Sequence, residues 1–171
     1  MKEKTLMFKV LTAGEGGVGK TTLLYRFVKG MFLEDTRMTL GVGFFLKELV
    51  VNDMNVTLQL WDFGGQDRFT FLHQSYSEGA KGGILMYDLT RPSTLDRIDY
   101  WVNICRKDNP GTPLIFIGGK SDLTDQRNVS KEMVDEVIKK YDFCEHFEVS
   151  SKSGENVINI FEKITEHILL F

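Results

Sequence analysis

Leu6-Met7-Phe8-Lys9-Val10-Leu11-Thr12 followed by Ala13-Gly14-Glu15-Gly16-Gly17-Val18-Gly19-Lys20-Thr21-Thr22 decides the fold. The first seven residues read as a buried strand. Gly14 to Thr21 spells G-x-x-x-x-G-K-T, and Leu23, Leu24, Phe27 and Val28 then fall on one helical face. Glycines let the backbone wrap an anion and aim successive N–H groups at it. The following helix presents its positive end, and Lys20 adds a point charge. Strand, glycine turn and helix together predict a phosphate-binding loop made of Gly14, Glu15, Gly16, Gly17, Val18, Gly19, Lys20, Thr21 and Thr22.

Outward from this unit, short apolar runs alternate with helical patterns, the layout of an α/β sheet. Val42–Val51 and Asn55–Asp62 read as strands joined at Asn52-Asp53-Met54 into an antiparallel hairpin. A short helix after Phe71, a strand over Gly82–Asp88 and a helix over Ser93–Lys107 follow. Beyond them come a strand over Pro113–Gly118, a helix over Ser130–Tyr141 that Ser130 caps, a strand over Phe143–Val149 and a helix over Asn156–Leu170. The expected fold is a single α/β domain over residues 1–171, with six mostly parallel strands, one antiparallel edge strand and five flanking helices.

Composition agrees with one soluble domain. The 171 residues are 42% hydrophobic and 26% charged, which excludes a disordered chain, and the 16 glycines against 3 prolines call for a local explanation. A net charge of -3, with both signs interspersed, supplies no basic face for nucleic acid. Cys105 and Cys144 both sit in apolar-periodic segments, so buried, reduced thiols are expected. No apolar run approaches a membrane span, position two is Lys, and no Cys stands near Leu169-Leu170-Phe171, so no lipid anchor is encoded here. The reading is a cytoplasmic protein whose membrane recruitment would require another subunit or a further tail.

A magnesium ion takes few protein ligands, so a second oxygen beside Thr21 is expected at a neighbouring strand end, where Asp62 lies. Phe63-Gly64-Gly65-Gln66 follows it; Gly65 can bring a backbone N–H to a γ-phosphate and Gln66 can hold a water in line.

With these segments the chain resembles the Ras superfamily of small GTPases, most closely its Rab-like branch. The resemblance rests on the phosphate loop, Thr39-Leu40-Gly41-Val42-Gly43-Phe44, Trp61-Asp62-Phe63-Gly64-Gly65-Gln66-Asp67-Arg68-Phe69, Gly118-Gly119-Lys120-Ser121-Asp122-Leu123 and Ser150-Ser151-Lys152-Ser153-Gly154-Glu155-Asn156, in the family's order and spacing. It implies a P-loop NTPase fold and a slow GTPase switch that binds GTP or GDP with Mg²⁺. It implies that Thr21, Thr39 and Asp62 serve the metal, that Lys20 and Gln66 are catalytic, and that loss of γ-phosphate releases the segments around Thr39 and Gly65.

The resemblance also assigns the base. Asp122 would accept guanine N1–H and N2–H₂, Lys120 would cover the ring with its stem, Phe32 would pack against it, and Leu123, Ser150, Ser151 and Lys152 would complete the pocket. The family usually has Asn-Lys-x-Asp where this chain has Gly119-Lys120-Ser121-Asp122, so an amide is lost and backbone freedom gained. Weaker, faster-exchanging binding that still prefers GTP over ATP is expected. Thr36 stands where many relatives place a tyrosine lid, and Arg37 is a candidate cis arginine. Leu40, Val42, Phe44, Trp61 and Phe69 are apolar and lie in or beside the expected switches, which suits either an effector patch or the core that strands need, and an exchange factor and a GTPase-activating protein are expected as regulators. Two rivals accompany this reading: a nucleotide-holding signalling module with negligible hydrolysis, and an ATPase or small-molecule kinase on the same loop.

Overall fold

The structure, a computed structural model, describes residues 4–34, 42–66 and 70–171. Among the described residues are strands β1 (Leu6–Ala13), β2 (Val42–Val51), β3 (Met54–Phe63), β4 (Gly82–Asp88), β5 (Leu114–Gly119) and β6 (Glu145–Glu148). The helices are α1 (Lys20–Lys29), α2 (Thr70–Tyr76), α3 (Ile98–Cys105), α4 (Lys131–Tyr141) and α5 (Val157–Leu170). The strands form one sheet in the order β2-β3-β1-β4-β5-β6, parallel except for the β2/β3 pair. The expected α/β class, six strands, one antiparallel pair and five helices are all present. The chain leaves β1 with β3 on one side and β4 on the other, so the carboxyl end of β1 is the switch point where such sheets bind ligands.

Side-chain alternation divides the core between the two faces of the sheet. Val10, Leu58, Leu60, Ile84 and Ile117 face α1 and α5, where Val157, Ile160, Phe161, Ile164 and Ile168 make the buried stripe of α5. Phe27 stacks on Phe161 with ring centroids 3.9 Å apart. Leu11, Phe63, Leu85, Tyr87 and Phe116 face the other way, toward Trp101 and Val102 of α3 and Val134 of α4. Fully burying one such side chain contributes about 1.5–3 kcal/mol, and all seven residues of β4 are buried.

Local chemistry sets the boundaries. Asn52 and Asp53 adopt φ of 51° and 60° and Val51 pairs with Met54, so the hairpin turns on two residues rather than three. Ser130 caps α4 by accepting from the Met133 N–H at 3.3 Å. The helix expected over Ser93–Lys107 is broken into a tight turn at Pro92–Leu95 and then α3. Thr94 fastens the tight turn to the end of β4: its hydroxyl donates to the Arg91 carbonyl and accepts from the Asp88 N–H, and Arg97, at φ -115° and ψ 28°, separates the turn from α3. The closing edge strand β6 has four residues, fewer than the seven expected. Cys105 is buried, but Cys144 is exposed, because it precedes this short edge strand rather than lying within a buried one; both thiols are free. Among the described residues no helix is long and apolar enough to cross a membrane.

Candidate functional site

A cavity of about 480 Å³ opens at the carboxyl end of β1. Its walls include Gly16, Gly17, Val18, Gly19, Lys20, Thr21 and Thr22 of the glycine turn, with Phe32, Gly65, Gln66, Lys120, Asp122, Leu123, Ser151 and Lys152. Residues separated by as many as 136 positions thus meet around one space, from Gly16 to Lys152. Gly14, Glu15, Asp62, Gly119 and Ser150 stand behind this wall, each touching residues that form it. Thr36, Arg37 and Thr39, like Leu40 and Phe69 of the apolar patch, lie outside the described residues.

The glycine turn is held from outside. Lys20 Nζ donates to the carbonyls of Gly14 at 2.7 Å and Glu15 at 2.8 Å. Arg91 Nη2 donates to the Gly16 carbonyl at 2.8 Å, and Lys120 Nζ donates to the Gly17 carbonyl at 2.9 Å. Four consecutive carbonyls are therefore engaged by three cationic side chains. Gly14 itself has φ +141°, and a Cβ there would lie 2.2 Å from the Met86 carbonyl oxygen, so only glycine lets the turn leave β1 beside β4.

Burial pushes the Lys20 amine down to about 8, against the opposing pull of Asp62 and Glu15. At about 8 the amine still carries its charge near pH 7, and an anion in the cavity would raise its pKa again by favouring the protonated form. Asp88, fully buried, ties the two outer cations together: its carboxylate accepts from Lys120 at 2.7 Å, Arg91 Nε at 3.1 Å and Thr90. Burial raises its pKa, but the hydrogen bonds from Lys120 and Thr90 outweigh that and hold it below the ordinary carboxylate value. Sequence reasoning singles out neither Asp88 nor Arg91, although an Asp at the carboxyl end of a parallel strand is a recognisable signal.

Thr21 Oγ1 donates to Asp62 Oδ2 at 2.5 Å, which sets two hard oxygens side by side at the end of the cavity nearest Lys20. Among the described residues no group of three or more His, Cys, Asp or Glu could hold a metal. A hydroxyl and one carboxylate suit a cation that completes its shell with water and ligand phosphate, as Mg²⁺ does. Gly65 crosses closest to the glycine turn. A Cβ on it would come within 2.2 Å of the Gly16 N, so the two backbones pack without any side chain between them.

At the opposite end Asp122 is exposed to the cavity, and its Oδ1 accepts from the hydroxyl of fully buried Ser150 at 2.7 Å. Lys120 is held at φ +66°, bending the chain between Gly119 and Asp122. Gly119 differs from expectation. It lies in ordinary strand conformation, so its backbone freedom is unused. Instead the space is filled: a Cβ on Gly119 would lie 2.3 Å from Met86 Cε and 3.2 Å from the Val18 carbonyl oxygen. The Met86 thioether of β4 occupies the place a side chain at 119 would take, a long-range substitution that the sequence does not announce.

Beside the cavity, aromatic side chains form an outer face. Phe44 meets Trp61 edge-on at 5.1 Å, Trp61 meets Tyr76 at 5.3 Å, and Lys9 Nζ lies 4.3 Å over Trp61. Phe44, Leu46 and Val50 are 49%, 53% and 64% exposed, more apolar surface on one edge strand than isolated folding requires.

Comparison with known proteins agrees with this geometry. The Ras family model matches residues 9–170. The chain is 34% identical over 169 residues to the Ras-related protein Rab-7a of Paramecium octaurelia, covering 96% of this chain and 82% of that one. It is 35% identical over 164 residues to the Ras-related protein Rab-2B of Dictyostelium discoideum (95% and 81% covered) and 36% identical over 171 residues to the Ras-related protein Rab-7b of Mus musculus (98% and 85%). A braced glycine turn at the switch point of a sheet with one antiparallel pair, matched along nearly its whole length, places the chain in the Ras family, within its Rab-like branch.

Proposed function

We propose that this protein is a guanine-nucleotide-binding switch that hydrolyses GTP slowly with Mg²⁺. The observation that carries the reading is the two-ended cavity. One end offers backbone N–H groups, Lys20 and the Thr21–Asp62 oxygen pair to a phosphate chain, and the other offers the Asp122 carboxylate, held by Ser150, to a base. A carboxylate there accepts two adjacent donors, which guanine presents and adenine does not. Each charge-assisted bond of this kind is worth about 1.5–3 kcal/mol, enough to reject ATP by orders of magnitude.

When bound, Mg²⁺ would be held by Thr21 and Asp62 and would offset charge on the phosphates. Lys20 binds the terminal phosphates, Gln66 orients a water in the cavity it lines, and the Gly65 N–H engages the γ-phosphate. Loss of that phosphate removes the anchor on the Gly64–Gln66 turn, which gives the two states of a switch. The aromatic face of Phe44, Trp61 and Tyr76 adjoins this turn and suits effectors and regulators that read the state.

Chromatography of the nucleotide released on denaturing the purified protein tests the binding reading: GDP or GTP is expected, and a bound adenine nucleotide would contradict it. Single-turnover hydrolysis by the wild type and Gln66→Leu then separates a GTPase from a static nucleotide holder; equal rates for the two would remove the enzymatic reading.

A further inference from the structure

His73 is fully buried on α2, and both its ring nitrogens are engaged. Nε2 lies 2.7 Å from the Gly64 carbonyl oxygen and Nδ1 lies 2.9 Å from the Tyr100 hydroxyl on α3. A carbonyl only accepts, so Nε2 carries the hydrogen, and in the neutral ring Nδ1 accepts from Tyr100. Burial holds the ring below its ordinary pKa, with Lys20 and Arg97 adding to that effect against the hydrogen bond to Gly64, so the neutral form prevails near pH 7. The ring also stacks on Phe63 at 5.2 Å and tilts against Trp101 at 4.9 Å. It has little freedom to move.

The Gly64 carbonyl and the Gly65 N–H belong to one trans peptide and point in opposite directions across it. Fastening the carbonyl to the imidazole on the α2–α3 side therefore turns the Gly65 N–H to the other side, toward the cavity that Gly65 lines. Two glycines flank this peptide, so no side chain resists its rotation. Among the described residues, the hydrogen bond from His73 is the side-chain restraint on its carbonyl. We propose that His73 is a positioning residue that sets the orientation of the Gly64–Gly65 peptide and thereby fixes the amide that distinguishes a nucleoside triphosphate from a diphosphate.

The inference rests on the nucleotide reading above and assigns a specific duty within it. His73 touches no phosphate; it acts through one peptide plane. Its loss should therefore weaken the triphosphate state selectively, because a diphosphate never meets the Gly65 N–H.

The test measures dissociation of fluorescent GDP and of the slowly hydrolysed analogue GTPγS from the full chain with Mg²⁺, for wild type, His73→Leu, His73→Gln and His73→Asn. His73→Leu should speed GTPγS release about tenfold, the scale of one charge-assisted hydrogen bond, while GDP release stays within about twofold. Glutamine places an N–H donor near the position of Nε2, so His73→Gln should recover most of the loss and His73→Asn should not. Equal acceleration for both nucleotides, no change in either, or a glutamine variant no better than leucine would overturn the proposal. Should His73→Leu fail to fold, Tyr100→Phe keeps the ring packed but frees Nδ1; a selective two- to threefold rise in GTPγS release is expected, and an unchanged ratio of the two rates overturns the proposal. A wild type that binds neither nucleotide would remove the nucleotide reading and this inference with it, whereas nonselective loss in the variants removes this inference alone.

Discussion

Restoring the missing amide at position 119 should strengthen nucleotide binding only if Met86 yields its place. A Cβ at 119 lies 2.3 Å from Met86 Cε, well inside contact distance; the atom met is the end of a flexible side chain, so moving it aside costs about 1 kcal/mol, the low end for overfilling a packed site. The amide contributes about 1 kcal/mol through a neutral hydrogen bond. Gly119→Asn alone is therefore expected to leave GDP release unchanged or to speed it. Met86→Val removes the sulfur and its methyl, and the asparagine side chain introduced at 119 fills the volume given up. In Met86→Val/Gly119→Asn the overpacking cost vanishes and release should slow about fivefold relative to wild type, the equivalent of about 1 kcal/mol. The pair should show a coupling of about 1 kcal/mol in a double-mutant cycle of mant-GDP dissociation rates, above the roughly 0.3–0.5 kcal/mol scatter for independent sites. A Gly119→Asn variant that by itself slows release fivefold, with no further change on adding Met86→Val, would refute the packing reasoning.

Three more outcomes follow from the geometry. Asp62→Asn preserves the size of the side chain beside Thr21 but removes its charge, so nucleotide release in millimolar Mg²⁺ should rise at least about tenfold toward the rate in EDTA; retained magnesium dependence would count against the oxygen pair. Gly65→Ala puts a Cβ 2.2 Å from the Gly16 backbone and should reduce single-turnover hydrolysis by about 10² or more with GDP affinity nearly unchanged, and normal turnover would argue that the two backbones separate during the reaction. His73 and His146 are both held below the ordinary imidazole pKa by burial, so the unfolded chain takes up more protons as pH falls through about 6.5. Their stabilising contribution is complete above that pH and is lost below it; the denaturant midpoint should be lower at pH 5.5 than at 7.5, with a smaller difference in His146→Gln, and an equal or higher midpoint at pH 5.5 would contradict this sign.

The phosphate loop is legible in the sequence because its chemistry is local: glycines, lysine and threonine at fixed spacing between a strand and a helix leave few other conformations. The α/β sheet follows from the alternation of strand and helix, and the hairpin from Asn52-Asp53. What sequence does not reveal depends on contacts between distant segments. Met86 and Gly119 exchange volume across neighbouring strands. Asp88 gathers cations from Arg91 and Lys120, and His73 reaches both the Gly64 turn and α3. Each of these residues, met alone, reads as ordinary core or turn. Cys144 and the split before α3 escape sequence reading for a related reason: periodicity reports which residues are apolar, not where a short edge strand starts or where one residue such as Arg97 leaves the helical conformation.

The three cations that grip the carbonyls of Gly14, Glu15, Gly16 and Gly17 have a kinetic consequence. Bracing by three side chains narrows the conformations open to the turn, so less of its ordering entropy is left to be lost on meeting an anion. Capture should therefore proceed at a similar pace across variants of the base pocket, and differences in affinity should register as residence time. On the switch reading proposed above, that places control of its lifetime in whatever shortens or prolongs the stay of a nucleotide, beginning with the methionine that fills the space of a missing side chain.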